Sequence, residues 1–238
     1  MAPIPTAAEG ADPAAPVSVP GPRELVILGG GEHAAVVLEA ARTTPAAWTP
    51  VGYAAPDPSA ALAALDPTLP WLGPDAGLPA GEKTPALVLG FGGGTRPGDR
   101  AAAVERLPAA RWATIVHAAA WVSPSATLGD GAFVGAGAVI NARAVVGGHA
   151  IVNSGAVIEH DVAIGAFTHV APGAIVGGGA RIGVGAFVGL GARVRDHVTV
   201  GDGAVIAMGA VVADDVAAGT TVAGMPARAA GDPGATHA

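Results

Sequence analysis

Val152-Asn153-Ser154-Gly155-Ala156-Val157 is followed by Ile158-Glu159-His160-Asp161-Val162-Ala163 and then by Ile164-Gly165-Ala166-Phe167-Thr168-His169. Each block opens on a branched aliphatic residue and places a compact residue four positions later. Stepping outward by six in both directions, the opening position is Val, Ile or Leu seventeen times in a row, from Val116 to Val212. Four residues on, thirteen of the seventeen are Ala; the exceptions are Val162, Thr168, Val198 and Val216. Neither a helical period of 3.6 nor a strand period of 2 produces such columns, whereas a parallel β-helix built from hexapeptides does. The aliphatic residue points inward on a short strand, and the small residue fills the narrow interior at a corner. Three residues after the aliphatic position, nine of seventeen residues are Gly, where the chain must turn with positive φ. Three blocks close one triangular coil. Stacked at the inter-strand spacing, nearly six coils form a prism roughly 25–30 Å tall. The register runs unbroken, so no long loop is expected to project from it.

The composition agrees with that division. The chain has 238 residues with 37 Gly and 21 Pro, only 4% aromatic and 13% charged residues, yet 51% hydrophobic ones. Disorder requires low hydrophobicity and high charge, and collagen requires Gly at every third position; neither holds. The apolar runs are too short to span a bilayer. A net charge of −7 disfavours nucleic acid as a partner. With no Cys, disulfides, thiolate metal sites and cysteine nucleophiles are excluded. Residues 1–23, with six prolines and no signal-peptide pattern, read as a flexible leader, and the expected compartment is the cytoplasm.

Residues 24–114 alternate differently. Glu24-Leu25-Val26-Ile27-Leu28-Gly29-Gly30 reads as a buried strand, Ala34–Thr43 as a helix, Val51–Ala54 as a weaker strand and Ser59–Leu65 as a helix. Ala86–Phe91 reads as another buried strand, Gly98–Leu107 as a helix, and Arg111–His117 as a strand leading into the prism. This order implies a small parallel, Rossmann-like sheet. Between the first strand and helix, Gly29-Gly30-Gly31-Glu32-His33-Ala34 fits a phosphate-binding turn at a helix N-terminus. A second glycine-rich turn, Gly90–Gly94, leaves the sheet on the same edge. The acidic residue expected at the end of the second strand of a dinucleotide site is absent, since Ala54 and Ala55 stand there. The prism is assigned to residues 115–228 and a flexible tail to 229–238.

Histidines carry the candidate chemistry. His160 falls at a prism corner beside Asp161, which occupies a position Gly usually fills. A carboxylate beside an imidazole fixes its tautomer and raises its basicity, as a general base requires. The bland alternative is a solvated polar pair. His169 lies half a coil away in an outward column, Phe133, Ile151, His169, Phe187 and Val205, and a stacked apolar strip of this kind predicts contact with another chain. His33 follows the glycine turn, where it donates to a bound phosphate or merely caps the helix. The histidine spacings place no two ligands on one face, so no metal is expected.

Taken together, the Gly-Gly-Gly-Glu-His-Ala-Ala-Val-Val segment, the hexapeptide array, Asn153–Asp161, Phe167-Thr168-His169-Val170 and Ala223-Gly224-Met225-Pro226-Ala227-Arg228 resemble a known family. It comprises the bacterial sugar O- and N-acyltransferases related to sialic acid O-acetyltransferase and UDP-4-amino-sugar N-acetyltransferase, and the likeness spans about residues 24–230. The resemblance implies a left-handed parallel β-helix behind a Rossmann-like acceptor-binding domain, assembled as a homotrimer. It implies acetyl-CoA, or another acyl-CoA, as co-substrate and a sugar or nucleotide sugar as acceptor. His160 would be the general base and Asp161 its acidic partner. His169 would stand near the thioester, with Leu190 and Met208 along the CoA chain. Gly31, Glu32, His33 and Gly90 would hold the acceptor. Two departures are visible: Glu32 replaces the family's usual Gly, and Ala54-Ala55 replace the acidic pair of UDP-sugar enzymes. A non-nucleotide amine or alcohol from a specialised pathway is therefore the alternative acceptor. From another class, a non-catalytic β-helix scaffold or ligand-binding protein is the rival.

Overall fold

A computed structural model of the chain describes residues 23–44, 46–75, 78, 84–92 and 97–230. The leader before residue 23, the tail after 230, and Gly93 and Gly94 of the second glycine turn lie outside the described residues. The first part is a three-stranded parallel sheet in the order β2-β1-β3, with β1 at Arg23–Leu28, β2 at Trp48–Ala54 and β3 at Ala86–Leu89. Helix α1 (Glu32–Arg42) returns between β1 and β2, α2 (Ala60–Leu65) follows β2, and α3 (Pro97–Glu105) follows β3. β1 and β3 are neighbours, so the turns that leave them emerge side by side at the carboxyl edge, where open α/β sheets bind ligands.

Seventeen two-residue strands follow, from β4 (Ile115–Val116) to β20 (Val211–Val212). From β4 through Arg193–Val194, each pairs in parallel with the strand eighteen residues on, as Val157↔Ile175 and Ile158↔Val176 do. The result is a left-handed parallel β-helix with three sheet faces. The first face runs through Phe133–Val134, Ile151–Val152, His169–Val170, Phe187–Val188 and Val205–Ile206; the second through Val139–Ile140, Val157–Ile158 and Ile175–Val176; the third through Val145–Val146, Ala163–Ile164 and Arg181–Ile182. The inward column and the small residues at the corners form one buried core, with Val134, Ile140, Ile158, Val176, Val188 and Ile206 all inaccessible. At the corner position three residues beyond the aliphatic, every residue from 131 to 209 has φ between +57° and +72°, whether or not it is Gly. The five that are not Gly are Arg143, His149, Asp161, Phe167 and His197. Each gives up the usual backbone preference of an L residue.

Residues 111–117 lead from the sheet into the prism. Arg111 and Ala113 bond to Leu87 on β3, while the Ile115 N–H bonds to Ala132 in the prism, so one extended segment stitches the two parts together. The outward strip is not left wholly to another chain, because Phe133 and Ile151 share a buried cluster with Ala34, Val37 and Leu38 of α1. The apolar pattern marked that face as covered; the cover on its lower coils is the chain's own helix. Arg100 of α3, 2% exposed, completes the junction by donating to the carbonyls of Phe167 (3.2 Å) and His149. The His149 ring stacks on Phe167 at 5.1 Å and meets Trp112 edge-on at 4.8 Å.

Candidate active site

His160 and Asp161 end the second face of the prism at an exposed corner, with side chains 57% and 41% accessible. His160 Nδ1 lies 2.8 Å from Asp161 Oδ2. An ionised carboxylate only accepts, so Nδ1 donates and the lone pair of the neutral ring sits on Nε2. Asp161 is also gripped by Arg143, one coil earlier on the same corner, through Nε to Oδ1 at 2.6 Å and a terminal guanidinium nitrogen to Oδ2 at 2.7 Å. The Arg143 hydrogen bonds first, and that of His160 second, hold the Asp161 carboxyl well below the usual carboxylate range. One coil later stands Gly178, under the edge of the His160 ring.

The other expected site residues lie elsewhere. Gly31, Glu32, His33, Gly90, Phe91, Gly92 and His169 line one open cleft of about 360 Å³ between the sheet's carboxyl edge and the first face of the prism. No side chain caps the N-terminus of α1, so its first N–H groups are not claimed by a cap. A Cβ on Gly90 would fall 2.5 Å from Ile27 Cγ2 and 2.9 Å from Ala34 Cβ, which explains glycine where β3 turns out over α1. His33 meets Phe133 edge-on at 5.2 Å, and its Nε2 is buried with no hydrogen-bond partner. Burial foremost, then the neighbouring His169 and Arg100, push its pKa down to about 4. A buried polar atom left unmatched costs roughly 1–3 kcal/mol, and such atoms cluster at functional sites. Asn153 Oδ1 accepts the Ser154 N–H at 2.8 Å, so its Nδ2 faces His169 Nε2 at 3.2 Å and places the neutral His169 proton on Nδ1.

Leu190 and Met208 occupy the third place, stacked one coil apart on the corner after the first face and 51% and 75% exposed. The structure thus brings the acceptor-site residues together with His169 but sets His160–Asp161 and Leu190–Met208 on two other corners. A larger hollow of about 510 Å³, lined by Val212, Val216, Val222 and Arg228 among others, is the open C-terminal end of the prism and holds none of these residues. Among the described residues, no three His, Cys, Asp or Glu side chains cluster as metal ligands, and no helix is long and apolar enough to cross a membrane.

Solved structures share this fold over most of the chain. The acetyltransferase domain of PglB from Neisseria gonorrhoeae matches with a TM-score of 0.78 at 30% identity, over 87% of this chain and 100% of that one. In complex with acetyl coenzyme A the same domain matches at 0.79 and 30%, over 88% and 100%. PerB from Caulobacter crescentus, in complex with CoA and GDP-perosamine, matches at 0.73 and 33%, over 91% and 100%. No protein-family model and no curated protein matches the chain.

The chain belongs to the hexapeptide-repeat sugar acyltransferases. It is an acyl-CoA-dependent acyltransferase, and the scaffold alternative falls.

Sequence reasoning missed three residues of this acyltransferase's candidate site. Arg143 and Gly178 stand eighteen residues before Asp161 and eighteen after His160. That one-coil step, applied to the corner columns as it was to the outward columns, finds both. Asn153 was visible only as part of a motif, and its role comes from the hydrogen bond to His169.

Proposed function

We propose that this acyltransferase is a homotrimeric acetyl-CoA-dependent N-acetyltransferase of a nucleotide-linked amino sugar, with His160 as the general base. The exposed His160–Asp161 pair carries this reading. Its 2.8 Å hydrogen bond orients a ring nitrogen outward with its lone pair free. In the reaction, the acceptor amine attacks the thioester carbonyl and forms the C–N bond while His160 Nε2 takes the proton released from nitrogen. Collapse of the tetrahedral adduct breaks the C–S bond, and the sulfur leaves with that proton as the free thiol. Such base catalysis is worth typically 10²–10⁴-fold, and the remainder comes from holding the reactants together.

The separation of parts supports the trimer. His160 sits on one corner, and the cleft with His33 and His169 on a different face, so the two meet only between chains. Three triangular rods packed about an axis give a closed assembly in which each corner faces a neighbour's cleft. Leu190 and Met208 then line the groove for the pantetheine chain, and the upper part of the outward strip, Phe187 and Val205, is covered by a neighbour. The cleft's glycine turns and uncapped α1 N-terminus suit a diphosphate. PerB was crystallised with GDP-perosamine, and Ala54-Ala55 here argue for a nucleotide other than UDP. The compartment that holds acyl-CoA and activated sugars is the cytoplasm, where we place the enzyme.

A thermal-shift series with GDP-, dTDP- and UDP-amino sugars, followed by thiol release from acetyl-CoA, tests the acceptor. A shift and turnover with GDP- or dTDP-sugars is expected; no response to any nucleotide sugar points instead to a non-nucleotide amine or alcohol. Mixing His160→Ala with Gly31→Trp, which fills the cleft, tests the assembly. Hybrid trimers regain activity that neither parent has if the site lies between chains, and stay dead if it does not.

A further inference from the structure

We propose that Arg143 is a positioning residue for acyl transfer: it clamps the carboxylate of Asp161 so that Asp161 holds His160 with Nδ1 protonated and Nε2 free. Arg143 matters in this way only if His160 is the base proposed above. Arg143 and Asp161 are successive residues of one corner column, at φ +59° and +62°, in backbone geometry that L side chains rarely adopt. Glycine would serve both positions better, as it does at nine sites of the corner columns. Two other side chains at this corner position lean back over the preceding coil. His149 lies over Gly131 and His197 over Gly179, where an added Cβ would fall 2.3 Å and 2.6 Å from the ring. Asp161 meets Arg143 of the preceding coil.

The contact is bidentate, with one fork on each carboxylate oxygen, and Oδ2 is shared with His160 Nδ1. An exposed aspartate is otherwise free to rotate about χ1 and χ2, and each rotation would release the imidazole. A planar guanidinium fixes both the position and the plane of the carboxylate, which a lysine ammonium cannot do. Exposed ion pairs add little stability, so two unfavourable backbone positions are poorly explained by folding alone. They are explained if the product of the contact is the orientation of His160.

The test is Arg143→Gly, read in three ways. Because glycine suits this backbone, the melting temperature is expected to hold or rise. The kcat of acetyl transfer falls roughly tenfold while both KM values stay within about twofold. In [¹⁵N]histidine-labelled protein, at a pH where the ring is neutral, the His160 imidazole changes from the Nδ1–H tautomer to a mixture. In an Asp161→Ala background the same substitution has no further effect on kcat. Arg143→Gly with full kcat and an unchanged tautomer overturns the proposal, as does a kcat loss that merely follows a fall in melting temperature. His160→Ala is measured alongside. If it keeps full rate, the base assignment fails whatever Arg143 does; if it is slow while Arg143→Gly is fast, the Arg143 proposal alone fails.

Discussion

A side chain on residue 178 would stand where His160 already is: a Cβ built on Gly178 falls 2.8 Å from both Cε1 and Nε2 of the imidazole. The atoms it meets are the far end of an exposed ring, which can swing away at small cost to folding. The cost to chemistry is larger, because a displaced ring no longer points Nε2 at the acceptor. Gly178→Ala is therefore expected to leave the melting temperature nearly unchanged and to lower kcat by roughly 10–100-fold. A scan of thermal unfolding beside steady-state kinetics checks both.

Gly90→Ala should behave in the opposite way. Its Cβ would press on Ile27 Cγ2, Ala34 Cβ and the Leu28 carbonyl oxygen, which belong to the packed base of the sheet and not to a mobile side chain. Overpacking of this kind costs about 1–3 kcal/mol. The melting temperature should fall, and nucleotide-sugar binding should weaken as the turn after β3 is pushed off α1. Thermal unfolding with and without ligand measures both effects.

Stability should depend on pH through two imidazoles, half-buried His33 and buried His149. Burial foremost depresses His33 and His149 from 6.5 to about 4. Between those values the unfolded chain binds protons at these rings that the folded chain refuses, so stability rises with pH. It is fully present above about pH 6.5 and is lost as pH falls toward 4. Asp66, held down to about 2 chiefly by hydrogen bonds from Thr68, titrates below this window. His149→Phe keeps a flat ring against Phe167 and Trp112 and should remove roughly half of the slope. Melting curves across the window report it.

The prism was legible because its columns are one-dimensional. A residue six positions on is the next strand and one eighteen on is the vertical neighbour, so Val116 to Val212 could be placed without tertiary information. The alternation of strands and helices in residues 24–114 was legible for a similar reason, through buried runs such as Leu25–Leu28 and Ala86–Leu89. What covers a face was not legible. Phe133 and Ile151 announce that their surface is dry, but hydrophobic pattern carries no sign of whether α1 or another chain dries it. Arg100 was equally silent, since a lone arginine on a short helix gives no hint that it will reach the carbonyls of His149 and Phe167. At the candidate site, Asp161 stood out, beside His160, by breaking the glycine pattern. Arg143 breaks the same pattern, but its meaning appears only when the coils are stacked and its fork meets Asp161.

Replacing the base itself is the most direct measurement. With an accepted amino sugar in hand, His160→Ala should lower kcat for thiol release from acetyl-CoA by about 10²–10⁴-fold. The affinity for acetyl-CoA and the melting temperature should stay close to those of the wild type, because the ring is exposed and buries no core. A His160→Ala enzyme that turns over at the wild-type rate would contradict the account.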